Sequence, residues 1–451
     1  MKIGVYTRHK LEDFSKYLAT SLSQRCEVFV FSEDHLKGNE IISAESFSNN
    51  TDPAFYFGES DVDDIISRCR VLRSIDKELA LVLLRRAFCC IEGLLDSLNP
   101  DVVVAPRIDN YFLDILNRVC ECRSIVFIGL WRSAFYNDMF FSTSRGEVKS
   151  IRQPKPKEVY KFIEKVSKKT FRGTSLVRLK DNKVVALKRY SKLLLRAYAL
   201  ETIRKFSSNK FRYREMATRF FVEEYDVSLR DIFFDYKDWN TRLEDALTNG
   251  RPRVFFALQV NPESTIDYYC GNVDLIQISS AAKEIVRSFL DSGFVVIVKD
   301  HPNMVGNRPA KLLVDLAQLG PDVVVVPPSV DSTFLIEKSD LVFTWSGTVS
   351  VQAIVMGRKA VCVCSPYFIN IKGLYKINSV DDLKAKLKNG DLIYGKRASK
   401  SEVFSLAQHI LSTHLKGQVF LHNSNMNEGF DFPVENLWLL IERATENGKN
   451  A

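Results

Sequence analysis

At 451 residues, with 46% hydrophobic and 26% charged residues, the chain is long enough for two or three domains and too apolar to be disordered. No run approaches the ~18 uncharged apolar residues that span a bilayer. The nine cysteines, odd in number and nowhere spaced C-x-x-C, argue against a disulfide scaffold or a zinc site. The net charge of +8 is unevenly placed. Residues 151–220 hold 21 Lys/Arg against 5 Asp/Glu, so the rest of the chain is net negative.

The chain opens on a short strand, Met1 to Tyr6, with no apolar signal segment behind it, and a cytoplasmic location is expected. Over residues 1–150, β-branched runs (Lys2–Tyr6, Glu27–Phe31, Val102–Ala105, Ile125–Ile128) alternate with helical patterns (Phe14–Gln24, Ile65–Leu98). This is the βαβ rhythm of a doubly wound sheet. Asn99-Pro100-Asp101 reads as a helix stop feeding a buried strand. Asp61-Val62-Asp63-Asp64 contains a D-x-D pattern used elsewhere for metal-bound diphosphate. Here it opens a helix, where acids are favoured, and no metal site is expected.

Residues 151–245 lose that rhythm. A linker, Arg152-Gln153-Pro154-Lys155-Pro156-Lys157, leads into basic helical patterns (Val159–Lys168, Tyr190–Phe206, Phe211–Glu224), a helical insertion or connector. Its charge suits either a solvated surface or contact with phosphate groups, as on anionic lipid headgroups. No aromatic-interleaved recognition motif supports a nucleic-acid partner.

From residue 246 to 415 the rhythm returns. Val254–Leu258, Phe294–Val298, Val323–Val326, Leu341–Thr344 and Ala360–Cys364 are wholly or almost wholly apolar, as in parallel strands buried on both faces. Helical patterns lie between them: Ile278–Ser292, Arg308–Leu319, Ser332–Lys338 and Val349–Met356. Residues 416–451 read as further helix, ending in Phe432–Thr445, expected to cross back to the first domain. The fold class is α/β with two Rossmann-like doubly wound domains facing a central cleft and a basic helical insertion.

In open parallel sheets ligands bind beyond the carboxyl ends of the strands, and there the unusual residues stand. Gln259-Val260-Asn261-Pro262-Glu263-Ser264-Thr265 follows one strand. Lys299-Asp300-His301-Pro302-Asn303 follows the next, with Gly306 and Arg308 nearby. Trp345-Ser346-Gly347-Thr348 opens a helix, and Ser365-Pro366-Tyr367-Phe368 forms a turn. A helix N-terminus with a glycine and two hydroxyls is an anion seat. Lys299 and His301 offer positive charge or donors against a leaving phosphate, and Glu263 is a candidate nucleophile or base. In the first domain, Arg107 and Asp109, then Arg132, Asn137 and Asp138, hold comparable strand-end positions. Arg107, Asp109 and Arg132 are candidates for acceptor binding and Asp138 for acid–base work.

The stretch from Phe256-Ala257-Leu258-Gln259-Val260-Asn261-Pro262-Glu263-Ser264-Thr265, through Val298-Lys299-Asp300-His301-Pro302 with Gly306 and Arg308, to Ser346-Gly347-Thr348 resembles the capsule polysaccharide biosynthesis family. That family includes retaining β-Kdo transferases and related nonulosonate transferases using CMP-sugars. The His-Pro pair and the later hydroxyl-rich motif also resemble bacterial sialyltransferases. The resemblance covers about 115 residues. It implies a metal-independent, cofactor-free transferase of GT-B type with a CMP-sugar co-substrate. Residues ~246–415 would bind the donor and residues 1–150 a glycan or lipid-linked acceptor.

By the same resemblance, Glu263 stands where the β-Kdo members carry an aspartate that forms a covalent glycosyl adduct. His301 and Ser346-Gly347-Thr348 stand where the family holds the CMP phosphate and the sugar carboxylate. Gln259, Lys299, Asn303, Arg308 and Tyr367 complete the candidate donor set by their place at the same strand ends. Gln352 departs from the acid that grips a ribose in many nucleotide-sugar transferases. Two alternatives stand beside this reading. One is an inverting transferase using another nucleotide-sugar and a first-domain carboxylate as base. The other is a non-catalytic scaffold of a polysaccharide assembly complex.

Overall fold

The β-branched runs pair into two largely parallel sheets, one in each of two units: Met1–Pro154 with Ile410–Ala451, and Lys155–His409. The computed structural model describes residues 1–8, 11–33, 41–47, 57–143, 148–171, 173–174, 183–206, 234–261, 263–308, 310–418 and 433–448. The expected helix Phe211–Glu224 and the first residue of the expected final helix, Phe432, lie outside the described residues.

In the first unit, β1 (Lys2–Thr7), β2 (Glu27–Ser32), β3 (Ile41–Ser43), β4 (Val102–Pro106), β5 (Val126–Arg132) and β6 (Met139–Thr143) lie in the order β6-β5-β4-β1-β2-β3. The first five are parallel and β6 is antiparallel to β5. Alternation along the strands sends Ile3, Val5, Val102, Val104, Ile128 and Leu130 to one face. There they pack on Phe14, Leu18 and Leu22 of the helix Glu12–Leu22.

The expected helix Ile65–Leu98 is two helices, Glu59–Arg68 and Lys77–Leu98, joined through a short 3-10 turn. Arg73 Nη1 donates to the carbonyls of Ser67 and Arg68 and closes the first. Asp76 accepts from the Glu78 and Leu79 amides and opens the second. Asn99, at φ 43, ends that helix in the left-handed conformation, its N–H donating to the Leu95 carbonyl.

In the second unit, β7 (Arg253–Ala257), β8 (Val295–Lys299), β9 (Val323–Val326), β10 (Leu341–Thr344), β11 (Lys359–Cys362) and β12 (Leu374–Lys376) form an all-parallel sheet in the order β12-β11-β10-β7-β8-β9. Both sheets thus show the 3-2-1-4-5-6 order of doubly wound folds. The helix Pro156–Ser167 starts inside the expected linker, with Pro156 at its first position and Glu158 accepting from the Lys155 amide. It packs on the helix Thr348–Val355 of the same unit. The chain then returns to the first unit. β13 (Leu415–Lys416) pairs antiparallel with β6, and the final helix Val434–Gly448 sets Leu437, Leu440 and Ile441 into the core formed by Ile3 and Phe14.

Candidate functional site

Strand register gathers the second unit's candidate residues. Cys362, Thr344, Ala257, Lys299 and Val326 are cross-strand partners in one row. The segments that follow them therefore leave the sheet at one edge. The chain runs outward from β7 to β8 and β9 on one side and resumes at β10 on the other. The β7–β10 pair is accordingly the switch point where ligands of such sheets bind.

Gln259 spans that point. Its Oε1 accepts from Thr344 Oγ1 at 3.5 Å and its Nε2 donates to Glu263 Oε2 at 2.8 Å. Gly347 lies against it: a Cβ there would sit 3.0 Å from Thr344 Oγ1 and 3.1 Å from Gln259 Oε1. The glycine expected to let a ligand approach thus first admits Gln259. Gly347 is also the N-cap of Thr348–Val355, with no side chain capping the first amides, and the buried Ser346 precedes it.

The loop after β8 is held from within. Asp300 Oδ1 accepts from the His301 amide at 2.7 Å and from Arg308 Nε at 2.9 Å. Arg308 Nη2 donates to the Gln259 carbonyl and ties this loop to the one after β7. Arg308 Nη1 is buried without a hydrogen-bond partner. So are the hydroxyls of Ser264 and Thr265, which open the short helix Ser264–Tyr269 behind Glu263. Buried polar groups are rarely left unpaired without a reason. Neither hydroxyl stood among the expected site residues, although both lie in the motif run after β7.

Of the two roles expected for His301, positive charge or hydrogen-bond donor, its surroundings favour the second. Its Nδ1 accepts from the Asn303 amide at 3.1 Å, which leaves the ring proton on Nε2. Burial, with the charges of Lys299 and Arg308, pushes its pKa down to about 3. It is a neutral donor at physiological pH. Lys299 ends β8 instead of beginning the loop, and its Nζ donates to Ser332 Oγ at 2.7 Å on the helix Ser332–Lys338. Tyr367 is buried in the turn after β11, its amide donating to Ser365 Oγ. Gln352, at the position of the expected acid, donates to Thr333 Oγ1 at 3.2 Å and is buried. A carboxylate there would be desolvated against a hydroxyl, which gives the glutamine a packing reason. Trp345 belongs to the core, stacked edge-on against Phe256 and Phe343.

In the first unit, Asp109 binds Arg8 through both oxygens at 2.8 and 2.6 Å, across the β1–β4 switch point. Arg8 was not singled out in the sequence, because its partner lies 101 residues away. Arg107 lies over the Trp131 ring at 4.6 Å. Arg132 donates to Asn137 Oδ1 at 2.7 Å, and Asp138 is exposed in the turn between β5 and β6. The D-x-D acids are committed to cations. Asp61 and Asp64 both engage Arg118, and Asp63 pairs with Lys77. Among the described residues no group of three or more His, Cys, Asp or Glu could hold a metal ion.

Residues 191–419 match the family model described as "Capsule polysaccharide biosynthesis protein". Solved structures similar to the chain include the following three. A Thermosulfurimonas dismutans KpsC beta Kdo 2,4 transferase is 12% identical with a TM-score of 0.38, covering 99% of this chain and 98% of that one. The beta Kdo 2,7 transferase KpsC of the same organism is 8% identical with a TM-score of 0.36, covering 98% and 99%. A Methanocaldococcus jannaschii UDP-GlcNAc 2-epimerase is 13% identical with a TM-score of 0.30, covering 91% and 98%. No curated protein matches the chain.

Proposed function

The chain belongs to the capsule polysaccharide biosynthesis protein family, and from that premise we propose that it is a glycosyltransferase. It moves a keto-sugar acid, Kdo or a sialic-acid-like nonulosonate, from a CMP-activated donor to a surface polysaccharide or lipid-linked glycan. The observation that carries this reading is the set of buried polar groups without partners at the second unit's switch point: Arg308 Nη1, Ser264 Oγ and Thr265 Oγ1. A donor bearing a phosphate and a carboxylate supplies the acceptor atoms they lack.

In this reading the CMP phosphate meets Arg308, the Nε2–H of neutral His301 and the start of the helix Thr348–Val355, which no side chain caps. Preorganised donors of this kind stabilise charge as it develops on the leaving phosphate. A single phosphate so neutralised needs no divalent ion. Glu263, one oxygen held by Gln259, attacks the anomeric carbon with its other oxygen. The bond to the CMP phosphate breaks and its electron pair leaves with CMP. An acceptor hydroxyl then attacks the same carbon, loses its proton to a base and frees Glu263, so that configuration is retained. The Gln259 bond and the position of Glu263 at a helix start also favour a second reading, in which Glu263 only orients the sugar.

Thermal unfolding of the full chain with CMP, UDP or GDP tests the donor class. Saturating CMP, at about 100 times its Kd, adds about 2.7 kcal/mol and raises the unfolding temperature, whereas UDP and GDP leave it unchanged. A shift with UDP and none with CMP would turn the reading to UDP-sugar chemistry.

A further inference from the structure

We infer that the helix Lys183–Phe206 is an interfacial element whose outer face docks on an anionic lipid bilayer. Six large apolar side chains of this helix are exposed: Val184, Leu187, Leu195, Tyr198, Ile203 and Phe206, with Leu195, Tyr198 and Phe206 at 71%, 72% and 87%. At about 100° per residue, five of them, all but Ile203, fall within an arc of roughly 100°, whose interior otherwise holds only two small exposed hydroxyl residues, Ser191 and Thr202. Lys188, Lys192 and Arg196, also exposed, follow at i, i+4 and i+8 as a ridge along one border of that arc. The helix carries seven Lys/Arg and one acid.

The helix cannot turn this face inward, because its other side is already seated. Ala186 and Tyr190 are buried against Val305, and Arg189 Nη1 donates to the Val305 carbonyl at 2.9 Å. Gly306, at φ +73, lies so close that a Cβ there would overlap the Ala186 backbone. The apolar stripe therefore faces out by construction.

An apolar arc bordered by cations fits a surface that is apolar below and anionic above, as in helices that lie in a bilayer interface. A second copy of the same face would set one basic ridge against another. No helix among the described residues is long and apolar enough to cross a membrane, so the contact is peripheral. A helix is about 10 Å across. Docking would thus hold the Val305–Gly306 turn, and the His301–Arg308 loop it belongs to, about one helix diameter from the lipid surface.

Co-sedimentation of the full chain with phosphatidylcholine vesicles, with and without phosphatidylglycerol, tests this independently of donor chemistry. Binding is expected only with phosphatidylglycerol, and it should fall as salt rises. It should weaken at least about tenfold in Lys188→Glu/Lys192→Glu and be lost in Leu195→Ser/Tyr198→Ser. All four side chains are exposed, so the circular dichroism and melting of the variants should match the parent chain. Failure of the chain to bind phosphatidylglycerol vesicles at low salt would overturn the inference. So would equal binding to phosphatidylcholine alone, or unchanged binding by either variant. Self-association of the parent chain that Leu195→Ser/Tyr198→Ser abolishes, without vesicle binding, would make a second copy the occupant.

Discussion

Arg308→Ala should cost the second unit about 3–5 kcal/mol, the penalty for stripping one partner from a buried ion pair. The side chains of Arg308 and Asp300 are only 1% and 6% exposed. Asp300 also accepts the His301 amide, and Arg308 also serves the Gln259 carbonyl. The substitution leaves a buried carboxylate with one donor fewer and separates the loops after β7 and β8. A loss of this size is a large fraction of a domain's usual 5–15 kcal/mol. Native-state amide exchange of β7 and β8 reads this unit alone, which matters because a chain of two units need not unfold in one step. Asp300→Asn/Arg308→Met removes both charges and should recover part of the loss. Protection in Arg308→Ala within about 1 kcal/mol of the parent, a cost typical of removing one ordinary hydrogen bond, would show that the pair does not organise the site.

Glu263→Gln should lower turnover on the order of a thousandfold or more, as expected when the nucleophile of a two-step displacement is lost. The substitution keeps the shape, and its amide oxygen still accepts from Gln259 Nε2. Only the negative charge is removed. With donor alone, intact-mass measurement should find a glycosyl adduct on the parent chain and none on the variant. An orienting Glu263 gives a different pattern: no adduct on either protein and a smaller loss. A product of inverted configuration excludes double displacement. The base would then be sought at Asp109, now paired with Arg8, or at Asp138, exposed in the β5–β6 turn.

Much of the fold was legible in the sequence because parallel strands buried on both faces are nearly continuous apolar runs. Val323–Val326 and Leu341–Thr344 match their expected limits. The antiparallel edge was not. Met139–Thr143 is held by antiparallel pairing with β5, and the two-residue Leu415–Lys416 by pairing with it from across the chain. The site was legible as positions and less so as states. One residue of strand length turns Lys299 from a loop donor into a β8 side chain held by Ser332. A cap hydrogen bond and burial make His301 neutral. The ties from Arg308 to Gln259, and from Arg8 to Asp109, join segments far apart in sequence, so no local pattern carries them.

Photocrosslinking of the full chain with a photoreactive CMP analogue, followed by peptide mapping, tests the central claim most directly. Label competed away by CMP is expected in the segments Gln259–Tyr269, His301–Arg308 and Trp345–Val349. Specific label confined to residues 1–154, or label that excess CMP fails to compete away, would contradict a CMP-sugar site at the carboxyl edge of the second sheet.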